Sequence, residues 1–313
     1  MTTRPILELR AGLRARLRAL FDGRGFVEVD TPALSREVLP EAHIDPLTVP
    51  VDGSGDALHY LQASPEAHMK RLLATGSGPI YQFARAFRAG ERGTRHDVEF
   101  VLLEWYAPGT TLDEEAALLA DLCTTTLGTD GLDRITCRDA FARHAGIDPL
   151  SASPREWQGA GSRAGLSLPD GLADSCDTWF ELILSEVVAP RLGHERPTML
   201  EAWPVSQAAF ARLAAGAPPT AQRFELFVAG VELANGWEEE TGREALLERI
   251  NAANAVRTAS GRAALPVPER LVAAHGPAMP AGVGTALGFD RLAMLAAGTA
   301  SIDAVRCFTS RTA

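Results

Sequence analysis

Glu104 and Tyr106 stand two residues apart in EFVLLEWY (99–106), a run of branched and aromatic residues that reads as a β-strand. Alternation puts Phe100, Leu102, Glu104 and Tyr106 on one face of it. The preceding IYQFARAFR (80–88) reads as its antiparallel partner, with Arg88 in step with Ala84 and Ala86 just before a polar loop over 89–95. A carboxylate and a phenol on a sheet, with a guanidinium across the hairpin, can floor a small-molecule site. The same residues also fit a hairpin with one solvated face. A second set lies in FELFVAGVELANGWEEE (224–240). There Ala229-Gly230 predicts a two-residue turn that sets Val228 opposite Val231 and Phe227 opposite Glu232, leaving Glu225 diagonal to Glu232 on one face. Two such carboxylates repel unless a cation lies between them, which points to Mg²⁺ with oxygen ligands; exposure of both to solvent is the alternative. Asn235-Gly236 is expected to bend this strand and aim Glu239 elsewhere. A third candidate is Arg291, in the first turn of a helix predicted over 290–295, after a strand predicted from Thr285 to Gly288. A cation there opposes the helix macrodipole, so a phosphate gripped by the guanidinium would explain it.

The elements that must position these groups follow in chain order. Thr3 as cap, Pro5 in the first turn and the stripe Leu9, Leu13, Leu17, Leu20, Phe21 predict an opening helix ended by Gly23 and Gly25, then a strand over 26–29 running into Pro32. Residues 35–56, rich in Pro, Gly and Asp, read as a long loop. A strand over 58–62 leads to Ser64-Pro65-Glu66, with Ser64 as N-cap, Pro65 as first helical residue and Glu66 in the first turn, where the helix dipole favours a carboxylate. Glu66 could equally point into a pocket and hold a substrate amine. A helix is predicted over 113–127, short helices over 138–145 and 179–188, and a surface loop around 208–221.

Composition bounds the function. The 313 residues are 46% hydrophobic and can bury a substantial core. A net charge of −10 provides no general basic field for nucleic acid, so tRNA is an unlikely partner. Cys123, Cys137, Cys176 and Cys307 form no CxxC pair, and neither a secretory signal nor a membrane-spanning stretch is evident, so the expected setting is the cytoplasm with no membrane partner. No GxGxxG follows an early strand, which argues against a dinucleotide fold.

Together, the opening helix, strand and Pro32, the Arg88 hairpin and ALGFDRL (286–292) resemble the three signature motifs of class II aminoacyl-tRNA synthetases, in their order. ASPEAHMKRL, HDVEFVLLEWY, VELANGWEE and ALGFDRLAML are similar to the lysyl-tRNA synthetase subgroup. The first motif begins almost at residue 1, without an anticodon-binding domain, as in the stand-alone paralogues that attach (R)-β-lysine to a lysine of elongation factor P. The resemblance implies an α+β fold, an antiparallel sheet flanked by helices, in a single catalytic domain over 1–313 with a helical insertion at about 130–200, and a homodimer through the first motif. It implies ATP-dependent activation of lysine or (R)-β-lysine and transfer to elongation factor P. By motif position, Arg88 holds the α-phosphate and Arg291 the outer phosphates. Phe100 stacks on adenine, His96, Asp97, Leu233 and Gly288 line the nucleotide, and Glu225 and Glu232 carry Mg²⁺. Ser64, Pro65 and Glu66 meet the backbone end of the amino acid, and Glu104, Tyr106 and Glu239 its far ammonium. Ala286 stands where lysyl-tRNA synthetases usually have glycine and the paralogues alanine. The second motif departs from Arg-x-Glu: Gly90 takes the glutamate position and Glu91 follows one residue late. Either Glu91 takes over the adenine-side role or ATP binding weakens. Another acceptor for the same adenylate, or a non-catalytic paralogue, remain alternatives.

Overall fold

The structure is a computed structural model that describes residues 4–51, 58–169, 171–172 and 174–313. The chain forms two compact units. One comprises the chain up to Thr111 together with Thr125–Leu127 and Glu239–Ala313, and the other Leu112–Thr124 and Gly128–Glu238.

The first unit opens with α1 (Arg4–Asp22), which buries Leu13, Leu17 and Phe21. Phe21 stacks on Tyr81 at 4.8 Å between ring centroids. Thr3, expected to cap this helix, lies outside the described residues. The strand predicted over 26–29 is only β1 (Val27–Glu28). Of the long loop predicted over 35–56, residues 36–46 are irregular as expected and 52–56 lie outside the described residues, but strands occupy Ser35 and 47–50. β2 (Leu34–Ser35) and β3 (Leu47–Pro50) both pair antiparallel with β4 (Leu58–Leu61), because Leu47-Thr48-Val49 alternates as a half-buried strand does before Pro50 ends it. Helix α2 (Glu66–Leu73) starts one residue later than expected: Ser64 Oγ accepts from the Glu66 N–H at 3.2 Å, and Pro65 stands before the first full turn. β5 (Ile80–Phe87) and β6 (Glu99–Pro108) form the predicted hairpin, with Gln82 opposite Glu104 and Ile80 opposite Tyr106.

The second unit begins with α3 (Leu112–Leu127). Its strands and helices are β7 (Asp133–Thr136), α4 (Cys137–Ala145), α5 (Pro154–Arg163), α6 (Cys176–Ile183), β8 (Thr198–Pro204), β9 (Leu213–Ala214), β10 (Thr220–Val228) and β11 (Val231–Glu238). α5 was missed in the sequence although Ser153 and Glu156 form a full capping box around Pro154. Phe141, Trp157, Phe180 and Trp203 pack as one aromatic core. Of the surface loop predicted around 208–221, residues 212–219 are largely exposed as expected, but Ala208, Phe210, Ala211 and Ala221 are buried, the three alanines within the aromatic core of this unit. Ala229 and Gly230, both at positive φ, close the expected β10–β11 turn. Asn235-Gly236 does not bend β11: both stay paired, with Glu225 and Phe224, and the irregularity falls between Leu226 and Phe227.

The chain then returns to the first unit with α7 (Arg243–Ala259), α8 (Glu269–Ala274), β12 (Gly282–Gly288) and α9 (Phe289–Ala296). Strand order in this unit is β1, β5, β6, β12, and in the second β11, β10, β8, β7, with β9 beside β10. The interior pairings are antiparallel, as expected, but β1 and β7 pair parallel with β5 and β8. Each of these pairs is joined by a long crossover containing helices, which is what parallel pairing requires. Among the described residues no helix is long and apolar enough to cross a membrane.

Candidate active site

A buried acidic cluster lies under α2, on the β5–β6–β12 face. Its floor is set by register: Glu104 on β6 sits between Gln82 of β5 and Ala286 of β12, and Tyr106 lies opposite Gly284. Tyr106 donates its hydroxyl to Glu104 Oε1 at 2.7 Å. Glu104 Oε2 is buried and has no hydrogen-bond partner. Above this floor, helical spacing turns Glu66, Met69, Lys70 and Leu73 inward. The Lys70 ammonium, 2% exposed, reaches Glu66 Oε1 and Glu239 Oε2, both at 2.6 Å. Glu239 is fixed by its backbone N–H, which donates to the Gly282 carbonyl at 2.9 Å. Gly284 makes this approach possible, since a Cβ there would collide with Glu239 Oε1 and the Tyr106 ring.

Three carboxylates within one dry pocket shape its protonation. Burial, then the charge of Glu66, raise the Glu104 carboxyl to about 8 against the opposing hydrogen bond of Tyr106 and the charge of Lys70. Burial and its acidic neighbours thus favour the protonated form of Glu104 when no cation is bound beside it. Burial, followed by the charge of Glu104, also raises the Tyr106 phenol, which stays a donor. Burial disfavours the Lys70 ammonium, yet Glu239 and Glu66 outweigh it and hold the amine above the ordinary lysine range.

Arg88 and Arg291 are the cationic candidates of this unit. Arg88 follows β5, donates Nε to the Ala63 carbonyl at 3.4 Å and lies over the Phe100 ring, 5.1 Å from its centroid. Gly90 has φ +76°, a conformation that turns the chain back so that Glu91 reaches Arg88 at 3.7 Å. The late glutamate thus stands beside the motif arginine. Arg291, in the first turn of α9 after Gly288, lies 2.6 Å from His96 Nε2 and donates to the Arg95 carbonyl at 3.3 Å. Asp97, expected beside a nucleotide, instead turns inward to the C-terminal segment. Arg306 and the Ser310 N–H donate to Oδ2 at 2.6 and 2.9 Å, and the Ser310 hydroxyl and the Val98 N–H donate to Oδ1. Burial alone would raise Asp97, but these donors bring it down to about 2. Its carboxylate is committed to the fold.

In the second unit, Phe227 faces Glu232 as expected, and the bulge sets Glu225 opposite Asn235. Glu225 is buried, and Arg223 donates to its Oε1 at 2.6 Å while lying 3.9 Å over the Trp203 ring. Arg223 thus neutralises Glu225 from its own strand. No group of three or more His, Cys, Asp or Glu suited to a metal occurs among the described residues. One or two carboxylates are the ligand set Mg²⁺ accepts when substrate phosphates and water complete its shell.

In the first unit Glu66 and Glu239 meet through Lys70, Glu104 lies beside Tyr106 and Ala286, Arg88 beside Glu91 and Phe100, and Arg291 beside His96. Sequence reasoning missed Lys70, Gly284, Arg223 and Arg306. For Lys70 a signal existed: Glu66 and Lys70 are four apart on a helix. Nothing local announces that Arg306 meets Asp97.

The family model for tRNA synthetases class II (D, K and N) matches residues 2–312, and the chain belongs to that family. Within it, the chain is 38% identical over 303 residues to the elongation factor P–(R)-β-lysine ligase of Edwardsiella ictaluri (strain 93-146), covering 96% of this chain and 93% of that protein. It is 39% identical over 297 residues to the ligase of the same name from Sodalis glossinidius (strain morsitans), covering 93% and 91%. To that of Salmonella dublin it is 37% identical over 308 residues, covering 97% and 95%.

Proposed function

We propose that this chain activates a lysine-type amino acid, (R)-β-lysine in the first instance, with ATP and transfers it to a lysine side chain of elongation factor P. The observation that carries this reading is the buried acidic pocket, where Glu104 keeps an unpartnered oxygen beside the Tyr106 hydroxyl. An ammonium brings three donors, and Glu104, Glu239 and Tyr106 satisfy them; a neutral side chain would leave buried acceptors unpaired. The relatives whose names specify (R)-β-lysine and elongation factor P support the choice of substrate and acceptor.

In the first step the amino-acid carboxylate attacks the α-phosphorus of ATP and pyrophosphate leaves. Arg88 neutralises charge on the α-phosphate and Arg291 on the outer phosphates, while Phe100 and Glu91 flank the adenine; His96, Leu233 and Gly288 complete the nucleotide's surroundings. Asp97 acts by holding the loop. Ser64, Pro65 and Glu66 receive the amino acid's backbone end. Bound to Glu225 and Glu232, Mg²⁺ would supply further neutralisation of the phosphates. In the second step the acceptor amine attacks the adenylate carbonyl, an amide forms, and AMP and a proton leave. The same reading has the chain working in the cytoplasm as one catalytic domain over 1–313, with the helices of about 130–200 as an insertion. It also has a homodimer through the first motif, where β1 is an edge strand and Val27 is 57% exposed.

Amino-acid-dependent pyrophosphate exchange over a panel, followed by intact mass of elongation factor P after incubation with ATP and (R)-β-lysine, tests the reading. Exchange with a lysine-type amino acid and addition of one residue to the factor are expected. Exchange with no amino acid, or an unmodified factor beside an active control, would overturn it.

A further inference from the structure

Lys70 has no part in the reading above, yet it is the most deeply engaged cation in the pocket. Its ammonium lies 2.6 Å from both Glu66 and Glu239, on a helix and a loop that are far apart in sequence. All three side chains are at most 8% exposed, so water screens them little. Left alone, two buried carboxylates this close would repel, and one would take up a proton or swing away. The bridging ammonium prevents both. It uses one oxygen of each glutamate, which fixes the direction in which the other points.

Resting on the lysine-type reading of the pocket, the geometry points to Lys70 as a positioning residue that sets the pocket's specificity for amino acids carrying two ammonium groups. The charge count gives the reason. With Glu66, Glu104 and Glu239 all ionised, one internal ammonium leaves two negative charges, and a substrate with an amino group and a distant second amine sets two positive ones against them, its own carboxylate being directed to the ATP phosphate instead. A monoammonium amino acid leaves one buried charge uncompensated, which costs far more than a lost surface contact. Without Lys70 the same substrate is one charge short, and a proton must make up the difference. The groups that face this balance are Glu66 and Lys70 from α2, Glu104 and Tyr106 from β6, Glu239 before α7, and His275 at the end of α8, whose imidazole burial keeps below its usual range.

Lys70→Met and Lys70→Arg decide the matter, measured by pyrophosphate exchange against lysine-type and monoammonium amino acids from pH 6 to 9, with thermal melting as the control for folding. Lys70→Met is expected to raise KM for the diammonium substrate by about tenfold or more. Its kcat should change much less, and the loss should shrink towards low pH as a proton replaces the missing charge. Lys70→Arg keeps the charge but misplaces it, so KM should rise with the wild-type pH profile. A purely structural role would leave the pH profile of Lys70→Met unmoved, and that result, or an unchanged KM in a folded Lys70→Met, overturns the inference. If Lys70→Met does not fold, an unchanged KM in Lys70→Arg overturns it and a raised KM supports it. Absence of exchange in the wild-type chain would instead overturn the reading on which it rests.

Discussion

Glu104 is the side chain whose charge the pocket controls most directly. Its folded pKa of about 8 lies far above its ordinary 4.5. The folded, ligand-free protein therefore binds a proton that the unfolded chain releases between those values, and this group's contribution to stability falls as pH rises through that window. Replacing it with glutamine should flatten that part of the pH–stability curve, readable by thermal melting between pH 5 and 9. A substrate ammonium favours the carboxylate, so binding should release a proton below pH 8. The amino-acid KM should then fall by at most about tenfold per pH unit as pH rises towards 8, while Glu104→Gln binds weakly with no such slope. Ala286 gives a second residue-scale prediction. It pairs with Glu104 across β6–β12, so its methyl shares the pocket face. Ala286→Gly should shift the preference between α- and β-lysine by roughly 1–3 kcal/mol, towards α-lysine, measured as the ratio of the two kcat/KM values.

The loop between β5 and β6 owes its shape to elements remote in sequence. Ala89 N–H donates to the Asp45 carbonyl at 2.8 Å, and buried Arg257 of α7 binds the Asp45 carboxylate at 2.7 Å. The C-terminal segment ties the other end, through Ile302 N–H on the Thr94 carbonyl at 3.0 Å and through the buried Asp97–Arg306 pair. Breaking such a pair from one side strands a charge. Arg306→Met should therefore cost about 3–5 kcal/mol in chemical denaturation and raise the KM for ATP, and Asp97→Asn in the same chain should recover much of both. At the near end, Glu91→Ala should raise the ATP KM severalfold; an unchanged value would mean that Glu91 does not replace the glutamate absent at position 90.

At the scale of the whole molecule, the homodimer proposal rests on β1. Both residues of β1 are exposed, Val27 and nearby Leu34 among the large apolar side chains left in solvent. An exposed apolar edge strand invites pairing with a second copy. Val27→Asp should convert a dimer to a monomer in size-exclusion chromatography with light scattering, and a monomeric wild type would end the homodimer proposal. The net charge of −10 belongs to this scale too, since it disfavours long polyanions as partners.

What the sequence by itself determined was local and periodic. Alternation in 80–88 and 99–106 was enough to give the hairpin and the common face of Glu104 and Tyr106, and Ala229-Gly230 was enough to give the turn that sets Glu232 opposite Phe227. Family motifs supplied the class. Where local signals were mixed the reading failed: the strand at 47–50 hid among Pro and Gly, and Asn235-Gly236 suggested a bend that pairing with β10 suppresses. Only the tertiary structure decided which charges meet. Lys70 is four residues from Glu66, a spacing visible on any helix, but its second partner Glu239 arrives from another part of the chain; Asp97 and Arg306 are 209 apart. Burial then decides what those meetings do, because an isolated charge in a dry pocket must be paired, protonated or moved, and no property of the neighbouring sequence says which.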